Sequence, residues 1–260
     1  MSIRITVLGC RGSLPAGRKD TVLFGGDTSC YEVQAGEDLI YLDAGSGLVS
    51  AQTQGTREVH LLLSHPHLDH LMGFGLFPAL RQDCRIHIYG AAWEGRNPEE
   101  QMRLLFAPPL WPVWPGDGPA QIFFHTVMPG EAFRAGGFWV DWMPSFHPGG
   151  SAVYRLRRDG KILVYATDFE HGIEAEQELI RFAEGADLLL YDGQYTPEEH
   201  DIYPGFGHST GETGRRIGEA CGAKRVWIIH HDPRATDVIL TEREKRLGIH
   251  YARQGERVEL

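Results

Sequence analysis

Four side chains able to ligate a metal fall within six residues in this chain, in Ser64-His65-Pro66-His67-Leu68-Asp69-His70, directly after the apolar run Leu61-Leu62-Leu63. Such a run reads as a buried strand, and the polar turn marks where it leaves the core. Imidazole and carboxylate suit zinc and related divalent ions, and crowding four of them together without a cation would be costly. Alternation along the extended chain lets His65 and His67 converge on one ion. Asp69 and His70, at the turn into a helix, can face a second ion nearby.

A pair of ions needs further ligands, and candidates occur in matching contexts. His147 sits in Ser145-Phe146-His147-Pro148-Gly149-Gly150, just past an apolar strand. Asp168 ends the run Ile162-Leu163-Val164-Tyr165-Ala166-Thr167-Asp168, and His230 ends Val226-Trp227-Ile228-Ile229-His230 with His231 beside it. A lone histidine at a strand end says little; several after the same kind of run point together to a site. The strand pattern cannot choose between His230 and His231, whose side chains point to opposite faces.

Around these residues the pattern predicts strands over Ile3 to Leu8, Cys30 to Val33, Leu39 to Leu42, Val59 to Leu63 and Arg85 to Tyr89, with a helix over Leu71 to Leu80. More strands are expected at Ile122 to Thr126, Phe138 to Met143, Ala152 to Leu156 and Lys161 to Ala166. The last third alternates helix and strand: Glu174 to Glu184, Ala186 to Tyr191, Thr210 to Ala220 with Thr210 as N-cap, then Arg225 to Ile229. Interleaved strands and helix–strand units give an α/β class with sheets sandwiched by helices. No linker divides residues 1–260, so one domain is expected. Prolines keep residues 107–119 out of helix and central strand. Trp111 and Trp114 therefore either pack down on the body, the preferred reading, or wall a cleft. The charged tail from Thr241 to Leu260 can pack on the body or on a second subunit.

Composition removes other classes. The chain has 260 residues, 42% hydrophobic and 23% charged, as a globular protein does rather than a disordered or fibrous one. No stretch approaches the roughly 18 apolar residues of a membrane span, and the alternating start is unlike a signal peptide, so the default address is cytoplasmic with no membrane partner. A net charge of −10 makes a long nucleic acid a poor partner. Cys10, Cys30, Cys84 and Cys221 are far apart and form no CxxC pair, which fits reduced, buried thiols.

The HxHxDH turn, with Asp43 in Tyr41-Leu42-Asp43-Ala44-Gly45-Ser46-Gly47, resembles the metallo-β-lactamase superfamily over nearly the whole chain. The resemblance implies an α/β four-layer αβ/βα sandwich with two divalent ions at one edge of its sheets, zinc first and manganese or iron as alternatives. By position, His65, His67 and His147 would hold one ion and Asp69, His70 and His230 the other, with Asp168 bridging. Register favours His230 over His231, and Asp43 would orient ligands and backbone. Gly9-Cys10-Arg11-Gly12-Ser13 and Gly25-Gly26-Asp27-Thr28-Ser29 resemble the phosphodiesterase branch that includes ribonuclease Z and the cyclic-phosphate phosphodiesterases. Asp27 departs from the Asn of that turn and adds a negative charge near a phosphate site. Gly207-His208-Ser209-Thr210 resembles the branch's additional histidine.

These parts suit cleavage of a small or cyclic phosphodiester. A hydroxide held between two ions is a nucleophile at neutral pH, Asp69 could orient it and accept its proton, and His208 could protonate the departing alkoxide. Asp192, Tyr195 and Thr196 can line the cleft or merely end a buried strand. The turn at Arg11 could cradle a phosphate, although a plain tight turn explains it as well. The alternatives are a thiolester or lactone hydrolase, ribonuclease Z-like tRNA 3′-processing, and a non-catalytic carrier similar to the pyrroloquinoline quinone biosynthesis protein. A di-iron redox site of the same fold would resemble HxExDH, which His67 argues against. Ribonuclease Z-like processing is disfavoured by the acid excess and by the lack of a long glycine-rich arm between Asp168 and His230. A homodimer is compatible with all of these.

Overall fold

Strands that are apolar on both faces need cover on both sides, and β4 (Glu58–Leu63) and β11 (Leu188–Asp192) are buried almost throughout. In the computed structural model, which describes residues 2–260, they belong to two seven-stranded sheets. Across the first lie β14 (Arg257–Glu259), β1 (Arg4–Gly9), β2 (Cys30–Ala35), β3 (Asp38–Leu42), β4, β5 (Arg85–Gly90) and β6 (Gln121–Thr126). Across the second lie β13 (His250–Tyr251), β12 (Val226–Ile229), β11, β10 (Lys161–Ala166), β9 (Ser151–Arg158), β8 (Phe138–Ser145) and β7 (Phe133–Ala135). The pairs from β3 to β6 and from β10 to β13 are parallel, and the others antiparallel.

Three cores separate four layers. Val7, Tyr31 and Leu62 from the first sheet meet Val140, Tyr154, Tyr165 and Leu190 from the second. Alternate residues of β4, Leu61 and Leu63, pack outward on Phe74, Phe77 and Met102 of the covering segments. On the far side Val164, Leu189 and Ile228 pack on Leu179 of α3 (Ile173–Phe182), Ile217 of α5 (Gly211–Cys221) and Leu240 of α6 (Asp237–Leu247). This is the four-layer αβ/βα sandwich expected from the sequence. Parallel strands present their C-terminal ends along one edge, where open α/β sheets gather ligands. Among the described residues no helix is long and apolar enough to cross a membrane.

Several local expectations change. The helix expected over Leu71 to Leu80 is only α1 (Leu68–Leu71), followed by two short 3₁₀ turns. The backbone is diverted: Ala44 N–H bonds to His70 O, and Gly73 N–H to Ala44 O. A Cβ at Gly73 would overlap Gly45, and Pro78 lacks a donor. Three helices lie outside the expected set: α6, which runs into the charged tail, and α2 (Pro98–Leu105) and α4 (Pro197–Ile202), the last two each opened by a capping box with proline in the first turn. Within residues 107–119 the two tryptophans pack down, Trp111 edge-on to Phe106 and Trp114 against Phe74, Phe106 and Phe124, while Leu110 and Val113 stay exposed. The tail also packs on the body, through α6 and through β14 on β1. All four cysteines are free and buried, and burial pushes the Cys10 thiol up to about 12.

Candidate metal centre

Each candidate ligand sits at or just past a strand end on the same edge. Asp43 follows β3, His65 to His70 follow β4, His147 follows β8, Asp168 follows β10 and His230 follows β12. Six non-glycine residues among those described have positive φ, and four belong here: Ser13 (61°), Asp43 (61°), Asp168 (49°) and His230 (59°). Such conformations cost about 1–3 kcal/mol each and persist only where the surroundings enforce them. At Asp43, Asp168 and His230 they turn the side chain across the sheet edge within two residues of the strand's end, and at Ser13 they aim the backbone N–H at Asp69.

The side chains meet in two trios, His65, His67 and His147 in one and Asp69, His70 and His230 in the other, with Asp168 between them. Asp168 Oδ1 lies 3.7 Å from His65 Nε2 and 3.6 Å from His147 Nε2, whereas Oδ2 lies 3.1 Å from His70 Nε2 and 3.4 Å from His230 Nε2. Within the trios, His67 Nδ1 is 3.0 Å from His147 Nε2, and Asp69 Oδ2 is 3.2 Å from His70 Nε2 and 3.3 Å from His230 Nε2. Ligand atoms about 2.0–2.1 Å from a tetrahedral ion stand about 3.3 Å apart, which is the spacing seen. The buried His65 Nε2 has no hydrogen-bond partner. The donor set therefore fits divalent metal binding.

Electrostatics agree. Burial pushes His65 well below its ordinary value, and lowers His67 and His147 too, so these imidazoles are neutral with a lone pair to give. Burial opposes charge on His70 and His230 as well, but the surrounding carboxylates overcome it, raising His70 well above its usual range and His230 to about 9. Asp69 and Asp168 are held well below the usual carboxylate range against their burial by the neighbouring imidazoles. Positive charge is what this cluster demands.

Asp43 orients both halves. It is buried and accepts from Ser64 N–H at 2.7 Å, Ser64 Oγ at 2.8 Å, the Tyr165 hydroxyl at 2.7 Å and His70 Nδ1 at 2.7 Å. Ser64 Oγ, having donated to Asp43, accepts from His65 Nδ1 at 3.0 Å. One carboxylate thus fixes the tautomers of two ligands, leaving each Nε2 bare toward the cluster. Gly207 O does the same for His147 Nδ1 at 3.1 Å, and a Cβ at Gly207 (φ 85°) would overlap that ring.

His208 stands beside the trios, its ring stacked on His230 with centroids 4.9 Å apart and its Nδ1 donating to Asp192 Oδ2 at 2.9 Å. Asp192 is fully buried and also accepts from Gln194 N–H at 3.0 Å. Tyr195 meets the His208 ring edge-on.

Other expected positions take structural roles. Thr196 does not line the cleft but caps α4 through Glu199 N–H. Arg11 is not poised for a phosphate: it is wholly buried and donates to the carbonyls of Gly25, Asp232 and Ala235. Its turn serves the cluster instead, with Ser13 N–H on Asp69 Oδ2 at 2.7 Å and Gly12 against the His230 ring. Sequence reasoning missed that contact, because a backbone donor leaves no trace in residue type. Asp27 accepts from Ser46 Oγ and Gln254 Nε2, so its charge is used in bracing its own turn. His231 points away, donating Nε2 to Ala252 O at 2.8 Å and stacking on Tyr251.

A family model described as the beta-lactamase superfamily domain matches residues 38–231. A ribonuclease Z of Halorubrum lacusprofundi is 28% identical over 297 aligned residues, spanning 95% of this chain and 92% of its own. The probable metallo-hydrolase YhfI of Bacillus subtilis is 22% identical over 243 residues, 88% of this chain and 86% of its own. The crystal structure of YhfI covers 100% of this chain and 99% of its own with a TM-score of 0.76. A diphosphatase from the PhnP family, 22% identical, covers 100% and 98% with a TM-score of 0.71.

Proposed function

Because the chain belongs to the beta-lactamase superfamily and carries its metallo-β-lactamase fold, we propose that it is a metal-dependent hydrolase cleaving the phosphodiester bond of a small or cyclic substrate. His65, His67 and His147 would hold one divalent ion and Asp69, His70 and His230 a second, with Asp168 shared; zinc is the first choice for this donor set, manganese or iron the others. When bound, such a pair supplies a nucleophile at neutral pH and offsets charge on the phosphoryl oxygens. Asp69, kept ionised beside His70 and His230, would orient the attacking water by accepting its hydrogen bond and then its proton.

The observation that carries the phosphodiester reading is the His208–Asp192 pair. Asp192 holds Nδ1, so when the ring is protonated at both nitrogens Nε2 is the atom free to give a proton to a departing alkoxide; the ring itself stacks on that of His230 with centroids 4.9 Å apart. An alkoxide needs that proton, whereas a thiolate leaves without it. In the metal-loaded protein, His208→Ala should lower turnover of a 2′,3′-cyclic nucleotide by about 10²–10⁴-fold. It should scarcely touch bis-p-nitrophenyl phosphate, whose phenolate leaves unaided, or a thiolester. Equal losses on all three would refute the assignment, and turnover of the thiolester alone would support a thiolester hydrolase.

The likeness to ribonuclease Z favours a second reading, tRNA 3′-end processing. Against it stand the net charge of −10 and a stretch from Asp168 to His230 filled by α3, β11, α4 and α5 rather than by a projecting arm. A steep fall of tRNA binding with salt would favour it.

A further inference from the structure

Exposed apolar side chains gather where the metal cluster meets solvent. Phe146 (72% exposed) precedes His147, Leu68 (46%) lies between His67 and Asp69, and Phe206 (58%) is two residues before His208. Leu14 (55%) follows Ser13, whose N–H is bonded to Asp69. The two phenylalanine loops are tied together by Glu170. Its N–H donates to Phe146 O at 3.1 Å, and its carboxylate accepts from the N–H groups of Gly205 at 2.6 Å and Gly207 at 2.8 Å. Phe206 also meets Tyr203 edge-on at 5.6 Å. These rings stand in water on braced backbone, an arrangement that marks a binding surface.

Beside His67 and Pro148, the latter two residues from Phe146, lies a cavity of about 130 Å³ between Pro66, Trp93, Leu104 and the Gly149–Gly150 turn, its wall completed by Gln101 and by Arg96, which lies 3.9 Å from Glu94 and is offset by it. Typical ligand pockets start near roughly 300 Å³, so this one has room for a single ring or a short chain. Among the described residues no lysine or arginine bonds to any member of the two trios, to Asp168 or to His208. Arg11 is engaged by three carbonyls and Arg234 by Asp232.

We propose that this collar and cavity seat the non-departing group of the substrate, an uncharged alkyl or aryl arm, so that the enzyme selects monoanionic diesters with one apolar substituent over polyanions. Every collar residue lies within two positions of a group assigned to an ion, to its hydrogen bonding or to proton transfer. Whatever covers the collar therefore sits at the reacting centre. The inference rests on the hydrolase reading above and names its substrate class.

The test compares methyl p-nitrophenyl phosphate with hexyl p-nitrophenyl phosphate on the metal-loaded protein, with p-nitrophenyl acetate and octanoate as a parallel pair. Five methylenes partly removed from water should raise kcat/KM for the hexyl diester at least tenfold over the methyl. Phe146→Ser with Phe206→Ser should bring that ratio to within about twofold of unity, and Phe146→Leu with Phe206→Leu should restore most of it. Diester turnover with no chain-length preference, or a preference the serine pair leaves intact, overturns the collar while sparing the phosphodiesterase reading. No diester turnover but a collar-dependent preference for octanoate overturns that reading and keeps the apolar arm. A dimer that dissociates in the serine pair with the ratio unchanged shows that a second copy covers the collar, and also refutes the proposal.

Discussion

Replacing Asp43 by Asn tests whether one buried carboxylate sets the chemistry of the whole cluster. The backbone at Asp43 is left-handed, φ 61°, and Asn tolerates that region as Asp does, so the fold should survive. The hydrogen bonds should not. If the amide oxygen keeps Ser64 N–H, its NH₂ faces three groups that now donate to Oδ2: Ser64 Oγ, Tyr165 OH and His70 Nδ1. The two hydroxyls can rotate. His70 can accept at Nδ1 only by moving its proton to Nε2, the atom that faces Asp69 and Asp168. That tautomer cannot ligate an ion, and the hydrogen bond to His65 through Ser64 weakens with it. Loss of such orienting partners typically lowers metal affinity 10–100-fold, about 1.4–2.8 kcal/mol. Chelator competition with Zn²⁺ would measure it, and ¹⁵N spectra of the histidines would report the tautomer. Affinity within twofold of the parent, with His70 still protonated at Nδ1, would refute the reasoning.

Metal uptake should release protons, since His230 is raised to about 9 and His70 is raised as well; affinity should climb with pH from 6 toward 9, and calorimetry in buffers of different ionisation enthalpy would show it. The sign for the metal-free protein is opposite: the stability His230 gains from a raised value is fully present below about 6.5 and lost as pH rises through about 9, a fall that urea titrations across that window would detect. Gly207→Ala puts a Cβ on His147 and strains a φ of 85°, so the His65–His67–His147 trio should lose its ion first, as metal analysis of the purified variant would show. Phe106→Ala, fully buried against Trp111 and far in sequence from every ligand, should cost about 3–5 kcal/mol of stability in denaturant melts while leaving metal content intact.

Ligands were legible where they share a context. Each of His65, His147, Asp168 and His230 ends an apolar run, and the topology brings those ends to one edge. Alternation alone left His230 and His231 undecided and only register read within the resemblance favoured His230; the left-handed turn that delivers it was not legible, because no residue type announces φ of 59° at a histidine. Arg11 stayed open between an anion site and a plain tight turn, because residue type fits both and only the fold shows three carbonyls already on the guanidinium. Two further helices carry their own start signals: Asn97-Pro98-Glu99-Glu100 and Thr196-Pro197-Glu198-Glu199 both spell a cap, a proline and a returning glutamate. The helix expected after His70 failed for a tertiary reason, the close approach of residues 44 and 45.

The pairing of β14 with β1 has a consequence for how the protein matures. Gly12 and Ser13, which brace His230 and Asp69, hang from the end of β1, and that strand is pinned by Glu256, Val258 and Glu259. A chain emerging from the ribosome therefore displays all its imidazoles before the strut behind two of them is locked. Stable loading should wait until residues 256–259 have been made and paired, and a protease cut just before β14 would loosen the ion that Asp69, His70 and His230 would hold.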